Sequence, residues 1–498
     1  MNLSISYILM VAGIVLAKCM GFVRELFFGN NFGTGLEMDI YAQVFSVASV
    51  IFTAVGVALS TFVIKSINHK MIKDASEERE FVGFFYKYAL LFSFVAMLFL
   101  YLLSIPITKL LLPGLSDADF QIALRLFWIM LPSLVFIILT YTAMGLLQNK
   151  NKFFITSVVS LPFNLLLISG MILGVKDIYT LGILTTLGWG AHFLFLLPSL
   201  KKENYTLWSN TNQKEKLQGV NPMEILFILI SNMVFQLLFI IDKSFASTNE
   251  GFTSAIHYAS TLFTTVCSIF LVAMSAVFFP AVTKAVKENE AHKLNCLIRY
   301  ALTFMFAIFV PFLMIVGIYH RDIIVLLYQR GNFTQESVNL VAPAFLAYGF
   351  CVFGYLSQEL LYKIFYAKGR YILTVISAVA ILAANLICNY LFCNSFWGIV
   401  GSTTGICLLF AGVMFYLLAK ETNGLFNKEF LKNTGIILAS SLSFVIIHFI
   451  FKFTVGYVHK MMFIIPIATS GILYLLILYK TKILQSILST KSNPENRS

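Results

Sequence analysis

Runs of about 20 apolar residues recur from one end of the chain to the other. No water-soluble interior could hide so many, so the surrounding solvent must be lipid. Only helices and closed barrels satisfy their backbone groups in hydrocarbon, and these runs are continuous rather than alternating, which selects helices. Composition agrees, with 59% of the 498 residues hydrophobic and 12% charged. The chain is therefore expected to be an all-α polytopic membrane protein. About fourteen spans are predicted, near 7–26, 39–64, 81–105, 120–147, 153–173, 178–200, 223–247, 251–283, 296–319, 338–366, 371–392, 397–419, 430–452 and 461–480.

The net charge of +12 sits in short loops between spans. That placement speaks against nucleic-acid binding and for the positive-inside rule. With the N-terminus inside, about twenty-two Lys and Arg fall in inner segments and eight in outer ones, so both termini are predicted to be cytoplasmic. Residues 7–26 have the length of a first membrane helix rather than of a cleaved signal. The seven cysteines show neither metal-ligand nor disulfide-framework spacing. No phosphate-binding loop is legible, so an enzyme is not expected.

The chain also repeats itself. Tyr41-Ala42 is echoed by Tyr258-Ala259, Tyr88-Ala89-Leu90 by Tyr300-Ala301-Leu302, and Lys152-Phe153 by Arg370-Tyr371, at an offset of about 215 residues. Six spans separate the partners, an even number, so the halves share one orientation about an axis along the membrane normal. This predicts an N-terminal six-helix lobe over 1–200, a cytoplasmic linker over 201–222 and a C-terminal six-helix lobe over 223–421. Two further helices over 422–482 and a polar tail over 483–498 complete the division. Lobes so related leave a central cavity, where transporters bind substrate.

Ionisable groups at membrane depth are candidates for function, because leaving one in lipid costs at least about 2.5 kcal/mol. Span one ends in Lys18-Cys19-Met20-Gly21-Phe22-Val23-Arg24-Glu25. Gly21 is expected to loosen this helix so that Arg24 turns inward, and Lys18 and Arg24 together would bind a phosphate-bearing lipid. Asp39 and Gln43 head a polar stripe on span two and are expected to line the cavity, with Asp39 pairing across the outer turn with Arg24 or Lys18. His257 heads a similar stripe on span eight. Asp242, Asn385 and Asn389 are a possible site for a coupling cation, with interhelical amide hydrogen bonding as the alternative. The adjoining Lys243 reads as marking the outer water boundary.

Gly21-Phe22-Val23-Arg24-Glu25, then Phe32-Gly33 and Asp39, resembles the N-terminal signature of the lipid II flippase family (MurJ/MviN). Tyr328-Gln329-Arg330-Gly331-Asn332-Phe333-Thr334 resembles that family's loop after span nine, and Phe365-Tyr366-Ala367-Lys368 its turn after span ten. The resemblance covers essentially the whole chain. It implies two six-helix lobes plus two C-terminal helices, in the inner membrane of a bacterium. It implies alternating-access transfer of an undecaprenyl-diphosphate-linked peptidoglycan precursor, with Arg24 and Asp39 matching family cavity positions; Lys18 and, from the polar stripe, Gln43 are expected at the substrate with them, and cell-wall synthesis proteins are possible partners. No cofactor is implied beyond a coupling cation, sodium or proton, or the membrane potential. Three places depart from the family pattern. Lys18 stands where the family usually has Arg, which keeps the charge and loses the bidentate fork. Mid-span two, Ser49 to Val55, lacks the usual cations, and Tyr258-Ala259 is followed by Ser260-Thr261 rather than Arg. A flippase for another lipid-linked glycan is the nearest alternative, followed by a drug/cation antiporter and a non-transporting envelope scaffold.

Overall fold

The structure, a computed structural model, describes residues 3–68, 74–211, 222–421, 426–454 and 461–483. The middle of the predicted linker and nearly all of the predicted tail lie outside the described residues. Every described element is a helix or a turn. In order, the helices are α1 Leu3–Phe32, α2 Leu36–Ser46, α3 Thr53–Asn68, α4 Ala75–Leu102, α5 Ser104–Leu111, α6 Asp117–Met130, α7 Ser133–Asn149, α8 Phe153–Ser157, α9 Leu161–Ile172 and α10 Ile178–Lys202. They continue as α11 Pro222–Ala246, α12 Phe252–Lys287, α13 Ala291–Tyr328, α14 Gln335–Ala367, α15 Tyr371–Phe392, α16 Phe396–Glu421, α17 Lys428–Ser441, α18 Ser443–Thr454 and α19 Ile464–Lys480.

Each predicted span falls on one helix or on two consecutive ones. Among the described residues, ten helical segments are long and apolar enough to cross a membrane, and α19 is a shorter apolar helix. Several spans are broken, and the breaks have local causes. Pro132 has no N–H to donate and separates α6 from α7. A π-helical turn, Val47–Phe52, joins α2 to α3. Helix starts are closed by side chains that accept an otherwise unpaired N–H: Asp74 from Glu77 (2.8 Å), Asp177 from Thr180 (2.7 Å) and Asn427 from Phe430 (2.8 Å).

The chain divides into two compact units. The first comprises Met1–Tyr258, Arg330–Ser337 and Ala378–Ile399. Within it α3 lies along α7, and α10 packs on α6, α7 and α9. Small residues let the backbones approach: a methyl group added at Gly145 would lie 2.0 Å from the Ser60 Oγ. The turn between α1 and α2 is gripped by the segment after α13. The Asn332 N–H donates to the Asn30 carbonyl (2.9 Å), its Nδ2 to the Asn31 carbonyl (2.6 Å), and the Thr34 and Ser337 hydroxyls meet at 2.8 Å. Gly33 and Gly331 sit at this contact with φ of +61° and +54°. A Cβ on either would collide with a carbonyl oxygen of the other strand, at 2.3 and 2.4 Å. Both the left-handed backbone and the close approach therefore require glycine.

The second unit comprises Ala259–Gln329, Val338–Ser377 and Val400–Ser498. Here α13 packs against α17 and α18, the two helices of the thirteenth predicted span. Ala307, Val310, Ile437, Phe444, Tyr474 and Leu478 belong to one buried cluster. Pro311 lies inside α13 and cannot donate to the carbonyl four residues earlier, which is that of Ala307. The Tyr474 hydroxyl donates to that carbonyl instead, at 2.7 Å.

Candidate functional site

The first unit buries a connected row of charged side chains where α1, α2, α9, α11 and α12 meet. α1 runs unbroken through Gly21, so the expected loosening there does not occur. Arg24 faces the unit's interior by its position on the helix alone. Its guanidinium lies 5.3–5.4 Å from the ring centres of Phe28, Phe45 and Phe163. Such a cage favours a planar cation. Nη1 donates to the Asn164 Oδ1 at 3.2 Å, and Nη2 forms an ion pair with Glu25. The Nε–H has no protein partner among the described residues, and the side chain is 12% exposed.

Glu25 is fully buried and is the hub of the row. One oxygen takes Arg24, and the other lies 3.0 Å from the His257 Nε2. On the far side of the imidazole, Nδ1 is 3.4 Å from the Lys243 ammonium. That ammonium donates to the Ser46 Oγ at 2.8 Å. Two expectations change here. Lys243 is 5% exposed and joins the buried row instead of marking the water boundary. Glu25, which sequence reasoning passed over, is the carboxylate that meets Arg24. The basic groups opposite it, Lys243 and His257, come from α11 and α12, in a chain that lacks cations in the middle of span two.

Asp39 does not pair with Arg24 or Lys18. Its two oxygens accept the Gly251 N–H (2.6 Å) and the Ser254 N–H (2.6 Å), closing the start of α12. The first turn of a helix presents unpaired N–H groups and a partial positive charge, so a carboxylate within reach is drawn there. Gln43 is fully buried, and its Nε2 lies within hydrogen-bond range of the Leu111 carbonyl (2.9 Å), the Ile240 carbonyl (3.1 Å) and the Ser244 Oγ (2.8 Å). It ties α2 to the end of α5 and to α11. Both residues thus hold helices together here, and neither faces open space. Lys18, a turn and a half before Arg24, is exposed.

Asp242, Asn385 and Asn389 do come together, all fully buried. The Asn389 Nδ2 donates to the Asp242 Oδ1 at 2.7 Å and to the Asn385 Oδ1 at 3.2 Å, while the Asn385 Nδ2 lies 3.4 Å from the same Asp242 oxygen. Amide N–H groups face the carboxylate, as in an interhelical hydrogen-bond cluster. A cation would need the amides turned over so that their oxygens point inward.

A multi-span helical bundle with an aromatic-caged arginine and a carboxylate in its interior is an architecture of membrane transporters. Comparison with known proteins narrows the class. The sequence profile of the family described as "Lipid II flippase MurJ" matches residues 28–467, and the chain belongs to that family. It is 26% identical over 287 residues to the lipid II flippase MurJ of Burkholderia cenocepacia, covering 56% of each chain. It is 27% identical over 375 residues to the probable lipid II flippase MurJ of Rickettsia prowazekii, covering 71% of each. Its fold matches a solved lipid II flippase MurJ in an inward closed conformation, with a TM-score of 0.79, 20% identity, and 97% and 99% of the two chains covered. An inward-facing multidrug resistance transporter of the MATE family and MOP superfamily matches with a TM-score of 0.63 and 15% identity, over 85% and 96% of the two chains.

Proposed function

We propose that this chain carries lipid II from the inner to the outer leaflet of the bacterial cytoplasmic membrane by alternating access, with Arg24 as the principal ligand of the diphosphate. The carrying observation is the state of that guanidinium. It is held by three rings, one carboxylate and the Asn164 amide oxygen, and its Nε–H has no protein partner among the described residues. A diphosphate replaces Glu25 with four or more acceptor oxygens and suits the bidentate geometry of arginine. Lys18, exposed on the same helix, adds charge on the approach. Asp39 and Gln43 serve the site by fixing α2 against α11 and α12. Both termini are cytoplasmic in this proposal, supported by the excess of Lys and Arg in the predicted inner segments.

The test is complementation. Cells depleted of their own lipid II flippase and given this gene should regain outward exposure of lipid II. Good membrane accumulation without rescue would refute the substrate. Rescue that survives Arg24→Ala would remove Arg24 from the site. A flippase for a different lipid-linked glycan is the second possibility, favoured by the uncharged stretch Ser49 to Val55 where the family pattern has cations.

A further inference from the structure

His257 stands between a carboxylate and an ammonium. Its Nε2 is 3.0 Å from Glu25 and its Nδ1 3.4 Å from the Lys243 Nζ. An ammonium can only donate, so Nδ1 must accept and Nε2 must carry the ring hydrogen, which it gives to Glu25. The neutral imidazole therefore bridges α12 to α1 on one side and to α11 on the other. The groups that face it are Glu25 and Arg24 from α1, Lys243 with the adjoining Asp242 from α11, and the Phe45 ring and Ser46 from α2. A second proton on this ring can go only to Nδ1. There it would set N–H against N–H and one positive charge against another at 3.4 Å, in a site where little water screens them. The Glu25 contact would strengthen and the Lys243 contact would break.

We propose that His257 is a proton-binding site whose occupation from the aqueous phase releases the Lys243 side chain and so breaks the imidazole link between α11 and α1, leaving the Thr253 hydroxyl on the Lys243 carbonyl (3.1 Å) as the remaining tie between α12 and α11. The proton forms one N–H bond at Nδ1, and the Lys243 ammonium moves off with its own three hydrogens. Release of Lys243 leaves a second mobile cation in the same buried row as the guanidinium. Protonation thereby changes how the cluster can hold an anion. The consequence for transport rests on the flippase function proposed above.

The test uses the full chain in liposomes, labelled with 15N-histidine and read by solid-state NMR. One of the seven histidine signals should vanish in His257→Gln, which assigns it. At pH 7.5 that signal should report the neutral Nε2–H form, and at pH 5 the imidazolium. An Nδ1–H form at pH 7.5, or no change down to pH 5, overturns the proposal. Lys243→Met removes the opposing charge, so the imidazolium fraction at pH 6 should rise several-fold. An unchanged fraction overturns the head-to-head opposition. In a parallel arm, lipid II transfer by the wild-type protein should change several-fold between pH 7.5 and 5.5 and be flat in His257→Gln. Equal pH responses in the two proteins overturn the coupling. Absence of transfer at every pH alongside an intact NMR titration refutes the flippase function and leaves the proton site standing.

Discussion

In the first unit, Arg24, Glu25, His257 and Lys243 form one largely buried row, each in contact with the next. In the second, the apolar cluster around Tyr474 buries the tyrosine hydroxyl against the Ala307 carbonyl and the Ser441 side chain and holds no charge. Both regions pay a desolvation cost, but the return differs. The Tyr474 bond repairs a gap that Pro311 opens in a helix, and it gains nothing beyond stability. The charged row is costly to bury, and hydrophobic residues of like volume often serve stability as well or better. A chain that keeps it is using it for something other than folding. That is the ground on which the charged row is proposed as the working part of the molecule and the apolar cluster as its support.

Substitutions can break that contrast, beginning with the most damaging. Glu25→Ala strands Arg24 and His257 without their shared carboxylate, and losing one partner of a buried pair costs about 3–5 kcal/mol. The variant should fail to accumulate in membranes, as read by immunoblot and by a large drop in detergent-solubilised melting temperature. Gly331→Ala comes next. It forces a left-handed residue and a 2.4 Å contact with the Asn30 carbonyl, so the grip on the α1–α2 turn should loosen. A loss of about 1–2 kcal/mol is expected, visible as faster amide exchange over residues 29–35. Asp39→Ala removes the cap on α12 and should cost about 1–2 kcal/mol, whereas Asp39→Asn, which can still accept one N–H, should cost less. If Asp39→Asn keeps the fold and abolishes transport, Asp39 acts on substrate as well as on α12. Smallest is Tyr474→Phe, which removes one hydrogen bond worth about 1 kcal/mol and should leave transport rates unchanged. A transport defect there with normal stability would erase the contrast between the regions.

The spans were legible because hydropathy integrates over 20 residues and tolerates local irregularity. Helix breaks were less so. Pro132 signals its own kink, but nothing in Val47-Ala48-Ser49-Val50-Ile51-Phe52 announces a π-helical turn. At the site, Arg24 was legible from its motif. Its partners were not, because pairing between Glu25 and His257 spans 232 residues and leaves no trace in one sequence. Lys243 was misplaced for a physical reason: a lysine near a helix end usually reaches water, and this one is turned back by the imidazole and by Ser46. Asp39 was correctly singled out as costly in lipid, but the helix start that offsets that cost lies more than two hundred residues downstream. The approach of Asp242 to Asn385 and Asn389 was foreseen as a grouping, while the direction of its hydrogen bonds needed coordinates.

The most direct measurement is transfer of fluorescent lipid II across liposomes holding the purified protein. Wild-type protein should move it well above the protein-free rate. Arg24→Ala should fall by roughly tenfold or more, the equivalent of one charged hydrogen-bonding group lost from the diphosphate. Transfer no faster than in empty liposomes, or transfer untouched by Arg24→Ala in a folded protein, would contradict the account.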